Sequence, residues 1–366
     1  MTTYTLPGQR LAPDGPAGEP ALVPDTWGTA LDELCSTVFA RPHLRMPQLA
    51  ALRAHDAAHG SEYVATLAAC LDSLGNVAAS AERLGVHVNT FRYRMRRLAE
   101  VAGDDLSRAD TRLVLGLELA APADLATAPA PPVDVDAPQW RWLPPDAPVV
   151  VAAFRVVGDD DDAPCRLARM VALSWDAFRT SAWCDITGHT VYSVVAAGSA
   201  AAADTVTATV RRMVREAESS LGLRVLAGIG PVVAGVREVE ASRRLADEVL
   251  RAVADRPGGD HVASLDEVRT TVVLRAFAAA AAEWPDVDGG AAARLAAHDA
   301  EHGTAYAATL RAYLECFGDV AAAAARSYVH VRTFRYRLRR IEELSGLRLD
   351  DPTGRLAAHL ELRVRH

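Results

Sequence analysis

The strongest constraint on this chain is an internal repeat. Residues 55–106 and 298–349 align without a gap at a constant offset of 243, and 30 of the 52 aligned positions are identical. Because unrelated sequence separates the copies, the pattern indicates one module used twice rather than a solenoid of adjacent repeats. We therefore expect the same fold near both ends of the chain.

The sequence between the copies is of two kinds. Residues 120–147 are rich in Pro, Ala and Asp, which is typical of a linker. Beyond them, buried strand patterns such as VVVAAFRVV alternate with amphipathic helix patterns, which favours an α/β sandwich. The predicted division is a disordered leader at 1–24, a helical module at 25–119, a linker at 120–147, an α/β domain at 148–265 and a second helical module at 266–366.

Each copy has the outline of a helix-turn-helix. In the first copy we predict a helix over 61–73, a short helix from Asn76 to Leu84, a turn at Gly85 and a longer helix from His87 to about Val101. Asn76, and Asp319 in the second copy, are suited to cap the short helix. The fold class is therefore an α+β multidomain protein in which two all-α helix-turn-helix modules flank an α/β sandwich.

The longer helix of each copy separates apolar from basic residues. Phe91, Met95, Leu98 and Ala102 form one apolar stripe, which Phe334, Leu338, Ile341 and Ser345 repeat. The rest of each helix is rich in Arg, and no acidic residue lies between Arg83 and Ala99 or between Val320 and Ile341. In a chain of net charge −8 these stretches favour contact with DNA phosphates. A solvated helix face is the alternative interpretation.

The candidate DNA contacts lie at and after the start of these two helices. Those of the first copy are His87, Val88, Asn89, Thr90, Arg92, Tyr93, Arg94, Arg96 and Arg97, and those of the second are His330, Val331, Arg332, Thr333, Arg335, Tyr336, Arg337, Arg339 and Arg340. The first turn of such a helix faces base edges. The amide of Asn89 suits adenine, whereas its equivalent Arg332 suits guanine. We therefore expect related but unequal half-sites.

These residues carry a family resemblance. The pattern V-H-x-x-T-F-R-Y-R-[ML]-R-R, preceded by G-[ND]-V-A-x-x-A, resembles the C-terminal helix-turn-helix domain of the PucR/CdaR family of bacterial transcriptional regulators. The segment AGIGPVVAGVREVEASRRLADEVL, residues 227–250, resembles that family's degenerate diguanylate-cyclase-like (GGDEF-like) domain. The resemblance implies a regulatory rather than a catalytic middle domain. One departure is Tyr328, which replaces Gly85 in the second copy and predicts a distorted turn there.

The candidate enzymatic features each have a plainer interpretation. A nucleotide cyclase needs carboxylates in its hairpin, whereas Thr187-Gly188-His189-Thr190 has none. The acidic run 159–162 is typical of a solvated loop. Gly228, Gly230 and Gly235 could cradle a phosphate, but a turn before a helix is favoured. We predict no enzyme activity, no catalytic residue and no cofactor.

A metal site is the other candidate that the repeat raises. His55 and His59, and likewise His298 and His302, stand at i and i+4, which is a zinc-ligand spacing. Gly60 and Gly303 follow them directly, which favours a helix C-terminus with a structural role for the histidines. We therefore predict no metal.

Composition restricts the location and the partners. The five cysteines are scattered, and the N-terminal residues lack the pattern of a signal peptide. We expect a cytoplasmic protein without a membrane partner. The function that we predict is a sequence-specific DNA-binding transcriptional regulator that forms a homo-oligomer, a dimer or higher, on double-stranded DNA and responds to an unknown small effector. The alternative is a small-molecule or nucleotide sensor whose helical modules serve mainly dimerisation.

Overall fold

The computed structural model describes residues 26–365 apart from 123–124, 126–132, 135–136, 145, 179, 199–202, 257–259 and 285–288. The predicted leader at 1–24 lies outside the described residues, as does part of the predicted linker at 120–147. No helix in the described part of the chain is both long enough and apolar enough to cross a membrane.

Two sets of six helices form the two helical modules. The first module contains α1 (Thr26–Phe39), α2 (Pro47–His59), α3 (Tyr63–Asp72), α4 (Val77–Arg83), α5 (Val88–Ala102) and α6 (Ala109–Ala120). The second module follows the sheet domain in sequence and contains α10 (Leu265–Ala282), α11 (Ala291–His302), α12 (Tyr306–Glu315), α13 (Val320–Arg326), α14 (Val331–Ser345) and α15 (Pro352–Val364). The bounds of α3, α4 and α5 recur at the sequence offset of 243 in α12, α13 and α14.

The sheet domain lies between the modules in sequence. Its strands are β1 (Val149–Val156), β2 (Ala182–Thr187), β3 (Thr190–Ala196), β4 (Val225–Ile229) and β5 (Val262–Ser264), and its helices are α7 (Ala163–Ala177), α8 (Ala203–Leu221) and α9 (Val239–Ala254). The strand order is β2-β3-β1-β4-β5, with only the β4 and β5 pair parallel. The short strand β5 was not predicted. The fold class expected from the sequence is confirmed.

The alternation of side chains along β1 gives the sheet two buried faces. Val150, Ala152 and Phe154 pack with α7 and α8, whereas Val149 and Val151 pack with α9. Helices therefore cover the sheet on both sides, as the near-continuous apolar run in β1 indicates.

In each module a buried glutamate of the last helix, α6 or α15, accepts hydrogen bonds from the amides at the start of the second helix, α2 or α11. The Glu118 carboxylate accepts a hydrogen bond from the backbone N–H of Met46 at 2.7 Å, and its equivalent Glu361 accepts from Ala292 and Ala293 at 2.8 Å. Both side chains are almost fully buried. Burial raises the pKa of the Glu118 carboxyl. These carboxylates satisfy amides that a helix N-terminus leaves unpaired.

Candidate nucleic-acid interface

The short helix of each helix-turn-helix begins at the predicted cap. Asn76 Oδ1 accepts hydrogen bonds from the amides of Ala78 and Ala79, both at 3.1 Å. Asp319 makes the equivalent pair of bonds in the second module, at 2.8 and 3.0 Å. Both predicted caps are confirmed, and they fix where α4 and α13 start.

The turn between the two helices has the same geometry in both modules. Gly85 and Tyr328 both adopt the left-handed conformation, with φ of 63° and 53°. The amide of the following residue closes each turn. Val86 donates to the Ala81 carbonyl at 3.0 Å, and Val329 donates to the Ala324 carbonyl at 3.1 Å. The distortion expected at Tyr328 is therefore wrong. The side chain of Tyr328 is 97% exposed, so the left-handed backbone brings the ring into no clash with the rest of the module.

A histidine caps each of the longer helices, α5 and α14, which we call the recognition helices. His87 Nδ1 accepts a hydrogen bond from the amide of Asn89 at 3.2 Å, and His330 Nδ1 accepts from Arg332 at 3.1 Å. Both histidines are exposed, and each lies directly before the first residue of its helix. Their rings therefore have a local structural role, whatever else they contact.

The buried face of each recognition helix follows the predicted stripe. Phe91 and Leu98 are buried in the first module, while Met95 and Ala102 are half-buried. In the second module all four predicted positions are buried, from Phe334 to Ser345. Packing on this face turns the remaining residues of each helix outward.

The opposite face of each recognition helix is polar, basic and exposed. In the first module it presents Asn89, Thr90, Arg92, Tyr93 and Arg96, and in the second Arg332, Thr333, Arg335, Tyr336 and Arg339. Asn89, Arg92, Tyr93 and Arg96 stand at positions i, i+3, i+4 and i+7 and so share one face, with Thr90 beside them. Val88 and Val331 lie half-buried at its edge.

Carboxylates neutralise some of the predicted DNA contacts. Arg94 is paired with Glu62 at 2.8 Å, and Arg97 is paired with Glu100. In the second module Arg340 is paired with Glu343, and Arg337 lies 3.5 Å from Thr309 Oγ1. Within the described residues, Arg92, Arg96, Arg335 and Arg339 make no ion pair. These four guanidinium groups are therefore the cations most available to an external anion.

The His-Asp motif of each copy caps a helix, a role that the sequence analysis missed. Asp56 accepts hydrogen bonds from the Ser61 hydroxyl at 2.6 Å and from the amides of Tyr63 and Val64 at 2.9 Å. Desolvation acts to raise the pKa of Asp56, but these hydrogen bonds outweigh it and the pKa lies below its ordinary value. A Ser or Thr five residues after each Asp was the available signal.

The motif's histidines are held by the same local contacts. His55 Nδ1 lies 2.8 Å from Ser61 Oγ, and the His55 ring stacks on His59 and Tyr63. No group of three or more His, Cys, Asp or Glu side chains in the described part of the chain is arranged to hold a metal ion.

Close packing accounts for the glycines near the end of β4. A methyl group at Gly228 would lie 2.4 Å from the Ala246 carbonyl oxygen, and one at Gly230 would lie 2.2 Å from that of Ser242. Ser242 Oγ also accepts from the Val151 amide at 3.0 Å and donates to the Pro231 carbonyl at 2.8 Å. Helix α9 therefore packs directly on the backbone of both glycines, which explains why neither position has a side chain.

The hairpin of the sheet domain is held by an arginine of α9. Gly188 and His189 form the turn between β2 and β3. Arg243 donates to Thr187 Oγ1 at 3.2 Å and lies over the Tyr192 ring, 4.1 Å from its centroid. The turn carries no carboxylate.

Comparison with known families matches both kinds of domain. The PucR C-terminal helix-turn-helix domain matches twice, at residues 63–121 and 306–364. The GGDEF-like domain matches residues 140–252. The chain therefore carries two PucR-type C-terminal helix-turn-helix domains with a GGDEF-like domain between them. The family resemblance deduced from the sequence is confirmed, including the second copy of the helix-turn-helix.

Individual relatives match less of the chain. The DNA-binding transcriptional activator AdeR of Bacillus subtilis is 31% identical over 71 residues, which are 19% of this chain and 17% of that protein. The crystal structure of a regulator of polyketide synthase expression from Bifidobacterium adolescentis is 15% identical, with 61% of this chain and 86% of that chain covered. Its TM-score of 0.30 is too low to support an argument about this fold.

Proposed function

We propose that this PucR/CdaR-family protein regulates transcription by sequence-specific binding of double-stranded DNA through both recognition helices. The observation that carries the proposal is the exposed face of α5 and α14, where four arginines lack an ion pair within the described residues. An anionic polymer is the partner that this face fits, because phosphates gain from each guanidinium that is not already neutralised. The description of AdeR as a DNA-binding activator supports the same class of partner.

The residues divide into two groups by position. Val88, Asn89, Thr90 and Tyr93 stand in the first turns of α5 and are assigned to base edges, together with their second-module equivalents Val331, Arg332, Thr333 and Tyr336. Arg92 and Arg96, with Arg335 and Arg339, are assigned to phosphates or to guanines beside them. These contacts are surrounded by His87 and His330, by the ion-paired Arg94, Arg97 and Arg340, and by Arg337, which lies near Thr309.

The middle domain is regulatory and non-catalytic in this proposal. Its hairpin offers His189 where cyclase chemistry needs a carboxylate, and α9 packs against the glycines at the end of β4. A cytoplasmic location and an unidentified small effector belong to the same proposal.

The alternative function, a sensor that uses its helical modules mainly to dimerise, has less support. Contacts between the modules use α1, α6, α10 and α15, along with the turns after α3 and α12. The basic faces of α5 and α14 stay exposed. Association of modules and binding of DNA therefore use separate surfaces.

The salt dependence of DNA binding tests the proposal. The plot of log K against log salt has a negative slope, and each lost phosphate contact should make it shallower by about 0.9. The double variant Arg92→Ala/Arg96→Ala should therefore make the slope shallower by about 2, on any duplex. Arg169→Ala is the matched control, because Arg169 is exposed on α7 of the sheet domain. An unchanged slope in the double variant contradicts the proposal, and so does a wild-type protein that ignores DNA at low salt.

A further inference from the structure

The two helical modules of one chain pack against each other. Helix α1 of the first module contacts α15 of the second, and α10 of the second contacts α6 of the first. Helices α1 and α10 also contact each other, as do α6 and α15, and side chains from all four helices share one buried core. The Phe39 and Phe277 rings meet edge to face within it, with centroids 5.6 Å apart. The contact of α1 with α15 therefore has an equivalent in the contact of α10 with α6.

Two arginines show the same reciprocity at the level of single hydrogen bonds. Arg112 donates to the backbone carbonyl of Glu315 at 2.9 Å, and Arg355 donates to the backbone carbonyl of Asp72. Arg112 and Arg355 are equivalent residues, and so are Asp72 and Glu315, because each pair is separated by the repeat offset of 243. Each hydrogen bond is therefore the image of the other. A contact in which residue i meets j and j meets i is the signature of two-fold symmetry.

The turns after α3 and α12 meet in the same way. A methyl group at Gly75 would lie 2.6 Å from Cε1 of Phe317, and one at Gly318 would lie 2.9 Å from Cβ of Leu74. Gly75 and Gly318 are equivalent, and so are Leu74 and Phe317. Leu74 and Phe317 both adopt the left-handed conformation, with φ of 49° and 54°. Such a conformation is unfavourable for a residue with a side chain, so packing across the contact must compensate.

Differences between the copies make the pairing specific to unlike modules. Asp110 pairs with Arg363 at 2.7 Å, whereas the equivalent residues are Thr353 and Ala120. The Arg112 guanidinium lies 4.6 Å from the Phe317 ring centroid, and Leu74 offers no ring at the equivalent place. Two copies of one module would lose one or both of these contacts.

A third difference lies between α6 and α15. Gly116 leaves room for the Leu356 side chain, which would lie 3.1 Å from a methyl group at that glycine. Its equivalent in the second module is the larger His359. A pair of first modules would therefore set Gly116 against Leu113 on both sides, and a pair of second modules would set His359 against Leu356 on both sides. The ion pair between Asp110 and Arg363 and the contact of Arg112 with Phe317 favour pairing within one chain over pairing of like modules from two chains.

We propose that one chain is a covalent pseudo-dimer that reads both half-sites of an inverted-repeat operator without a second chain. The inference rests on the proposed function, because it names the form of DNA that the two recognition helices would fit. A two-fold axis relates the halves of an inverted repeat, and the reciprocal contacts relate α5 to α14 in the same way. The shared core also holds the two modules together in one chain, so the two recognition helices need not be brought together when DNA binds.

Selection of duplexes from random DNA by the intact chain tests the pseudo-dimer. We expect two half-sites in inverted orientation at one spacing, with a mass of one chain per duplex by native mass spectrometry. A single half-site, a direct repeat, or two chains on one inverted repeat would each overturn the inference while leaving DNA binding intact. Recovery of no sequence above the random pool would instead overturn the proposed function.

A charge exchange tests whether the module contact sets the spacing. Inserting five base pairs between the half-sites turns one of them to the opposite face of DNA and should weaken wild-type binding roughly tenfold or more. Asp110→Arg places like charges against Arg363 and should reduce that penalty, whereas the double variant Asp110→Arg/Arg363→Asp should restore it. Wild-type binding that tolerates the insertion overturns the inference, and so does a penalty that neither variant changes.

Discussion

The turn at Tyr328 allows a stability prediction from backbone conformation alone. Tyr328 has φ of 53° with a 97% exposed side chain, and the equivalent position in the first module is Gly85 with φ of 63°. Replacing Tyr328 by Gly removes a side chain that contacts almost nothing and relieves a conformation that only glycine adopts freely. We expect Tyr328→Gly to stabilise the second module.

The magnitude follows from two opposing effects. The left-handed conformation costs a residue with a side chain roughly 1–2 kcal/mol. Against this gain, glycine makes the unfolded chain more flexible, which lowers the free energy of unfolding by about 0.4–1 kcal/mol. The net gain in the free energy of unfolding is therefore about 0.5–1 kcal/mol. Gly85→Tyr should lower it by a similar amount, since nothing lies within 4 Å of an added Cβ at Gly85.

Hydrogen exchange at the amides of α13 and α14, combined with urea unfolding of the whole chain, measures this effect. Local exchange is needed because a protein of several packed domains does not have to unfold in two states. Tyr328→Ala is the control, because it removes the ring but keeps the backbone strain, and it should change little. A Tyr328→Gly variant less stable than wild type by more than about 0.5 kcal/mol would refute the reasoning.

Three further predictions concern the buried histidine, base reading and the middle domain. Burial, with Arg363 and Arg112 nearby, lowers the pKa of His359 to about 3. In the unfolded chain the same histidine binds a proton below about pH 6.5. The free energy of unfolding should therefore fall as the pH drops from about 6.5 towards 3. From pH 7 to pH 5 wild type should lose roughly 2 kcal/mol more than His359→Leu in urea unfolding, and equal losses would contradict a neutral buried imidazole. Asn89→Arg should shift the selected base at one half-site position from A to G, whereas an unchanged selected motif excludes base reading by Asn89. The intact protein with GTP and Mg²⁺ should form no cyclic dinucleotide by mass spectrometry, and turnover that disappears when the carboxylates at 159–162 are replaced contradicts a non-catalytic middle domain.

The sequence predicted those features that depend on short-range chemistry. The caps at Asn76 and Asp319, the apolar stripe from Phe334 to Ser345 and the β2–β3 hairpin all follow from residues a few positions apart. Such signals depend on helix and strand periodicity and on side chains that bond to nearby amides. They also located the basic face of each recognition helix.

The sequence did not predict which arginines on that face are available. Arg94 and Arg92 look alike in the sequence, yet Arg94 is paired with Glu62, which lies 32 positions earlier at the start of α3. The first module's charge pattern therefore depends on a tertiary contact. The second module has Ala305 in place of Glu62, so Arg337 lies near Thr309 instead.

The pairing of the modules was also beyond the sequence analysis. Arg112 and Glu315 are 203 positions apart, and neither residue belongs to a motif that predicts such a contact. The copies looked like separate modules at the two ends because the repeat shows equivalence but not proximity. Two glycines, Gly75 and Gly318, each directly after a large apolar residue, were the available signal of a close approach.

The shared core determines how a signal from the sheet domain can reach the recognition helices. Leu245 and Val249 of α9 lie in the same buried cluster as residues of α1, α6, α10 and α15. Helix α10 begins directly after β5, where Ser264 and Glu267 form a capping box. Releasing one module would expose the apolar side chains of this core to water, at about 25 cal/mol for each Å². Small shifts of packed helices cost far less, because they keep the core buried. A shift of α9 against α10, which it contacts directly, is therefore the movement by which the sheet domain could reach the paired modules at the lowest cost.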